Sequence, residues 1–114
     1  MGDQSEIACK NVHSAIQDTL YVVNGKWKLL ILSILVNEGT KRFGQLAKES
    51  GISTRILSQQ LQELETNQLV GRKVCDTKPV TVEYSATPYA ATLKEVIDAM
   101  IRWGQNHKRK IVTS

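Results

Sequence analysis

Arg55, Ser58, Gln59 and Gln62 recur at helical spacing in this 114-residue chain, and each carries a side chain suited to reading a base edge or holding a phosphate. Arginine pairs two-pronged with guanine and glutamine with adenine, while serine and threonine bond bases or phosphates. Thr54 precedes the set, and no Asp or Glu falls between Thr54 and Gln62, so nothing in that stretch repels a phosphate. Downstream, Arg72, Lys73 and Lys78 add cations suited to the phosphate backbone or the minor groove. Arg42 and Ser53 flank the same region and join the candidate DNA contacts. A plain solvent-facing helix stripe and a charged, solubilising edge strand are the competing readings.

Other chemistry is poorly supported. Cys9 and His13 lie four apart, one helical step, but two ligands make no zinc site, and no third Cys, His or carboxylate has matching local spacing. The same lack of an orienting partner argues against an enzyme. Cys75 is remote from Cys9, so neither a disulfide scaffold nor a metal cluster is indicated. No metal or cofactor is expected, and His13 and His107 read as surface or packing residues. Cys9 has a local reason to be reactive. Expected just ahead of the first helix, it would lie where free amides and Lys10 favour a thiolate, with Glu6 opposing.

The elements that must position these groups follow from periodicity. Val12, Ile16, Leu20 and Val23 mark one stripe of a first helix, ended by Asn24-Gly25. Lys26 to Asn37 is apolar on nearly every side, which places a second helix at the centre of the core. Gly44 to Ser50 reads as a short third helix closed by Gly51, and Ser53 as the N-cap of a fourth, Thr54 to Asn67, with Ile56, Leu57, Leu61 and Leu64 inward. Val70 to Asp76 and Val80 to Ala86, joined by a turn-forming Asp76-Thr77-Lys78-Pro79, predict a two-stranded hairpin. Pro88 opens a long last helix with Leu93, Val96, Ile97, Met100 and Trp103 on one face, and the tail from His107 to Lys110 is expected to fray. Trp27 and Trp103 are read as core or dimer packing.

Length and a 41% hydrophobic content fit one globular domain over residues 1–114. The net charge of +4 is uneven: residues 41–82 hold seven Lys/Arg against four Asp/Glu, whereas residues 1–40 hold three against four. A polyanion would be drawn to the middle of the chain. No apolar run approaches the ~20 residues of a membrane span. The opening Met1–Glu6 has no leader character, so a cytoplasmic protein is expected.

Three helices, a helix-turn-helix and then a hairpin is the order of a winged helix, mainly α with a small antiparallel β-hairpin. The sequence resembles the HxlR-type branch of the MarR-like winged-helix regulators from Cys9 to about Gly104. The resemblance rests on Gly25-Lys26-Trp27-Lys28, Arg42-Phe43-Gly44-Gln45-Leu46, Gly51-Ile52-Ser53 with Leu57 and Leu61, Leu69-Val70 with Arg72, Val82-Glu83-Tyr84-Ser85 with Thr87, and Trp103-Gly104. It departs from the pattern at Lys10, Gln68, Ala86 and Ala90.

The resemblance implies a transcriptional regulator that binds a pseudo-palindromic operator on double-stranded DNA as a homodimer. Residues 43–67 would form the helix-turn-helix, 70–86 the wing, and 1–23 with 88–114 the dimerisation helices. Val12, Ile16, Leu20, Leu93, Val96, Ile97, Met100 and Trp103 are the expected dimer face. Some members sense oxidants or electrophiles through a cysteine matching Cys9; any effector is otherwise unspecified. The alternative from a different class is a winged-helix module for protein–protein contact without specific DNA binding.

Overall fold

A computed structural model describes the backbone of residues 2–113 and the side chains of residues 10–113. The elements run α1 (Gly2–Val23), α2 (Lys28–Glu38), β1 (Lys41–Arg42), α3 (Phe43–Ser50), α4 (Thr54–Thr66), β2 (Val70–Cys75), β3 (Thr81–Ala86), a 3-10 turn (Ala90–Leu93) and α5 (Lys94–Thr113). This is the expected winged helix, mainly α with a small antiparallel sheet.

Helix α2 is apolar nearly all round, and it lies where such a helix must: Ile31, Leu32, Ile34 and Leu35 are buried, with α3, α4, α5, β3 and the 3-10 turn packed about it. It begins two residues later than expected. Trp27 occupies the N-cap position, half-buried against the core, with the Lys26 ammonium 4.6 Å from its ring centroid. Gly51 ends α3 at φ 72°, the left-handed conformation that glycine adopts without a Cβ clash. Ser53 then starts α4 as its N-cap, its Oγ accepting the Ile56 N–H at 3.3 Å.

The sheet holds one strand more than the expected hairpin. Lys41 and Arg42 pair with Tyr84 and Glu83, giving the order β1-β3-β2. Two residues are too short to show the period of two that betrays a strand in sequence. Thr77 shapes the hairpin turn: its N–H donates to the Cys75 carbonyl at 2.8 Å and its Oγ1 to the Pro79 carbonyl at 2.8 Å.

The helical ends also depart from expectation. α1 starts at Gly2 rather than near Val12, which removes the free amides expected around Cys9; the Cys9 side chain itself lies outside the described residues. Pro88 does not open an α-helix; Ala90–Leu93 forms a 3-10 turn first, with the Ala90 N–H donating to Thr87 Oγ1 at 3.1 Å. The expected frayed tail is helical to Thr113.

Helix α4 leaves through Gln68, at φ 64°. The Leu69 N–H donates to the Leu64 carbonyl and the Gln68 N–H to the Glu65 carbonyl, both at 3.0 Å, and Leu64 packs buried with Leu69. This is a Schellman turn whose left-handed position is usually glycine. A side chain there costs roughly 1–2 kcal/mol, offset in part by the larger entropy that glycine loses on folding. Gln68→Gly should therefore stabilise the protein by about 0.5–1 kcal/mol in denaturant unfolding. A loss of stability would show that the Gln68 side chain contributes more than its backbone strain costs.

Candidate nucleic-acid interface

Leu57, Leu61 and Leu64 are almost fully buried and form one stripe of α4. At 3.6 residues per turn the opposite side is then fixed as Arg55, Gln59 and Gln62, with Ser58 and Thr54 on the flank. All five side chains are exposed, as are Arg42, Ser53, Arg72, Lys73 and Lys78. Hydrophobic docking of one face has thus presented the other.

Sheet register separates the wing cations. Arg42, Glu83 and Lys73 stand in one row across the three strands, and Lys41, Tyr84 and Arg72 in the next. Directly opposed residues share a face and successive ones alternate, so Arg72 and Lys73 point to opposite sides of the sheet. Arg72 borders a cleft with Ser58, Gln62 and Glu65 of α4, whereas Lys73 stands opposite the carboxylate of Glu83. A second, solvent-open groove of about 570 Å³ runs between the start of α3, α4 and the hairpin, lined by Arg42, Gln45, Ser58, Val80 and Thr81 among others. Ser58 borders both hollows. Lys78 sits in the turn beyond them, between Thr77 and Pro79.

The cations of the molecule divide into two kinds. Lys28 meets Glu63 at 2.5 Å, Lys41 meets Glu49 at 3.0 Å and Glu38 at 3.3 Å, and Lys94 meets Asp98 at 2.8 Å while donating to Asn37 at 2.9 Å. These pairs tie α2 to α4, α2 and α3 to β1, and α2 to α5. Arg42, Arg55, Arg72, Lys73 and Lys78 have no ion pair or side-chain hydrogen bond among the described residues. Their charge stays available to an outside anion. The sequence reading missed the structural role of Lys28 and Lys41, because their carboxylate partners are remote in the chain or lie across a turn.

The expected dimer residues also divide. Val12, Ile16 and Leu20 on α1, and Val96, Met100 and Trp103 on α5, are exposed, Trp103 by 68% with its ring stacked on His107 at 4.9 Å. Leu93 is half-buried against the core. Ile97 is a correction: expected on the dimer face, it is only 2% exposed and belongs to the protomer's own core, where the start of α5 crosses α2. The radius of gyration, 17.4 Å, exceeds the roughly 13 Å of a compact domain of this length. Helices α1 and α5 extend beyond the body with uncovered apolar faces.

Among the described residues no group of three or more His, Cys, Asp or Glu could hold a metal ion, and no single helix is long and apolar enough to cross a membrane.

The model of the HxlR-like helix-turn-helix family matches residues 22–111. The uncharacterized HTH-type transcriptional regulator YtcD of Bacillus subtilis (strain 168) is 35% identical over 103 residues, 90% of this chain and 81% of YtcD. Among solved structures, the reduced form of the redox regulator HypR superposes with a TM-score of 0.80 at 33% identity, covering 88% of this chain and 99% of HypR. The reduced form of the transcriptional regulator YodB from B. subtilis gives a TM-score of 0.69 at 31% identity, covering 78% and 87%.

Lys41 provides a test of the division between structural and free cations. Its hydrogen bond to Glu49 holds its pKa above the ordinary lysine value of 10.5, with Glu38 acting the same way and burial opposing. A raised lysine pKa stabilises the fold fully below the unfolded value and loses that contribution as the pH climbs through the folded one. Wild type and Lys41→Met should therefore differ in denaturant midpoint by a steady margin from about pH 7 to about pH 10 and converge at higher pH. A margin that widens on the alkaline side would contradict the assignment.

Proposed function

The chain belongs to the HxlR-like helix-turn-helix family of transcriptional regulators, and on that premise we propose that it binds double-stranded DNA sequence-specifically as a homodimer in the cytoplasm. It is a regulator and not an enzyme. The observation that carries the DNA reading is the unpaired polar face of α4, with Arg55, Ser58, Gln59 and Gln62 exposed above three buried leucines. This face enters the major groove, with Arg55 and Gln59 on base edges. The hairpin straddles the adjacent phosphate backbone, with Arg72 and Lys78 on phosphates and Lys73 contributing less because it faces Glu83.

Dimerisation covers the apolar stripes of α1 and α5, where Val12, Ile16, Leu20, Val96, Met100 and Trp103 are all exposed. Two-fold symmetry then sets two recognition helices ~34 Å apart, or a multiple of that, and calls for an inverted repeat. Similarity to HypR and YodB, one named a redox regulator and the other solved in a reduced form, supports an oxidant-responsive thiol at Cys9. Because α1 carries both Cys9 and the dimer stripe, oxidation there would alter the spacing of the two recognition helices.

Titration against a site selected from random DNA tests the assignments. Arg55→Ala should cost roughly 1–3 kcal/mol and relax preference at one base position, whereas Lys78→Ala should weaken all sequences alike and lower the salt slope by about one. Equal, sequence-independent losses for both would overturn the roles. Binding with no salt dependence would favour the protein–protein reading of the same scaffold. In the redox arm, diamide should change operator affinity in wild type and leave Cys9→Ser unaffected; a variant that responds like wild type removes the sensing role.

A further inference from the structure

Val80 is an apolar residue where local structure does not call for one. It follows the turn at residues 76–79 and precedes β3, so neither strand pairing nor the core claims it, and it is 61% exposed. Turn positions of this kind are ordinarily polar. Val80 lines the solvent-open groove of about 570 Å³ between α3, α4 and the hairpin, and half-buried Val82 lines it beside Val80. Arg42 and Ser58 border the same groove, and among the described residues neither side chain has an ion pair or hydrogen bond.

The hairpin wall of the groove has no donor to give. Thr77 donates its one hydroxyl proton to the Pro79 carbonyl at 2.8 Å, so in the 3.2 Å contact between Thr77 and Thr81 the Thr81 hydroxyl is the donor. That leaves two valines and a spent hydroxyl on this wall, with an unpaired guanidinium and a free serine hydroxyl elsewhere on the groove. A DNA strand matches both kinds of surface, since anionic phosphates alternate along it with sugars whose 2′ carbon bears only hydrogen. The 2′-hydroxyl, at once donor and acceptor, is the group that distinguishes RNA. Pressed against Val80 and Val82 it would lose water and gain no partner, whereas a CH₂ gains by the same burial. Pockets of ~300–1,000 Å³ hold small organic ligands, so one sugar with its phosphate has room here.

We propose that this groove seats one deoxyribose of the DNA strand that passes between α4 and the hairpin. Val80 and Val82 lie against its 2′ carbon, and the neighbouring phosphates accept from Arg42 and Ser58. The two valines select deoxyribose over ribose at one nucleotide of each half-site, in addition to the base reading by Arg55 and Gln59. This seat presupposes that α4 and the hairpin form the DNA interface.

Titration against a duplex site selected from random DNA, with one ribonucleotide placed at each position in turn, locates the seat. Ribose at one position per half-site should weaken binding about tenfold, as for a hydroxyl buried without a partner. A 2′-fluoro sugar at that position, which favours a ribose-like pucker but has no O–H, should be tolerated within about twofold. Val80→Thr, at an exposed position that the fold does not depend on, should bind the all-deoxy site within about threefold of wild type and lose most of the penalty for ribose. A scan with no sensitive position, an equal loss with 2′-fluoro, or a Val80→Thr variant as sensitive to ribose as wild type would each overturn the seat while leaving DNA binding intact. A wild-type chain that binds no duplex DNA overturns the interface itself, and the seat with it.

Discussion

Helix α2 is apolar on nearly every side, and the rest of the molecule is arranged around that constraint. A helix carrying Leu29 to Leu32 and Ile34 to Val36 needs cover on most of its flanks, and α3, α4, β3, the 3-10 turn and the first part of α5 provide it, leaving Leu30 40% exposed. Each wrapping element needs only one apolar stripe to do so. The far side of α4 is therefore under no packing obligation, and it carries Arg55, Gln59 and Gln62. That cover draws on only the end of α1, at Val22 and Val23, and the start of α5. That explains why residues 10–21 and 99–113 remain exposed although both segments carry apolar stripes.

Electrostatics follows the same division. Cations close to α2 are matched with carboxylates, because a charge at the edge of an apolar core is tolerable only when paired. Lys28, Lys41 and Lys94 each join α2 or its flanking turn to another element. Cations on the wing and on the outer face of α4 lie in water, where leaving them unpaired costs little. A surface with spare positive charge and no nearby structural duty is what a phosphate backbone requires.

One small junction connects the two regions. Thr87 donates from its Oγ1 to the Gln68 carbonyl at 2.7 Å, its own N–H donates to the Leu69 carbonyl at 3.1 Å, and its Oγ1 accepts the Ala90 N–H. One residue thus fastens the end of α4, the start of β2 and the turn leading to α5. Ala90, at the turn, is completely buried, so the site has little room to slip.

Much of this architecture was legible in the residues themselves. The stripe Leu57, Leu61, Leu64 determined which face of α4 points outward, and Ser53 and Gly51 marked its start and the preceding stop, because capping and amphipathicity act over a few neighbouring residues. β1 was not legible, since two residues have no periodicity and Lys41 and Arg42 become a strand only when β3 offers its edge. Nor was the inward turn of Ile97, which shares a stripe with Val96 and Met100 and is assigned to the core only by where α5 crosses α2. The 3-10 turn at Ala90 depends on Thr87, held in place by Gln68 from nineteen residues away. The sequence by itself determined the order of elements, the central helix and the outward polar face of α4, through interactions local enough to leave a pattern. Only the tertiary structure decided which cations are neutralised and which apolar faces stay open, because ion pairs such as Lys28 with Glu63 and the crossing of α5 over α2 join segments that are distant along the chain.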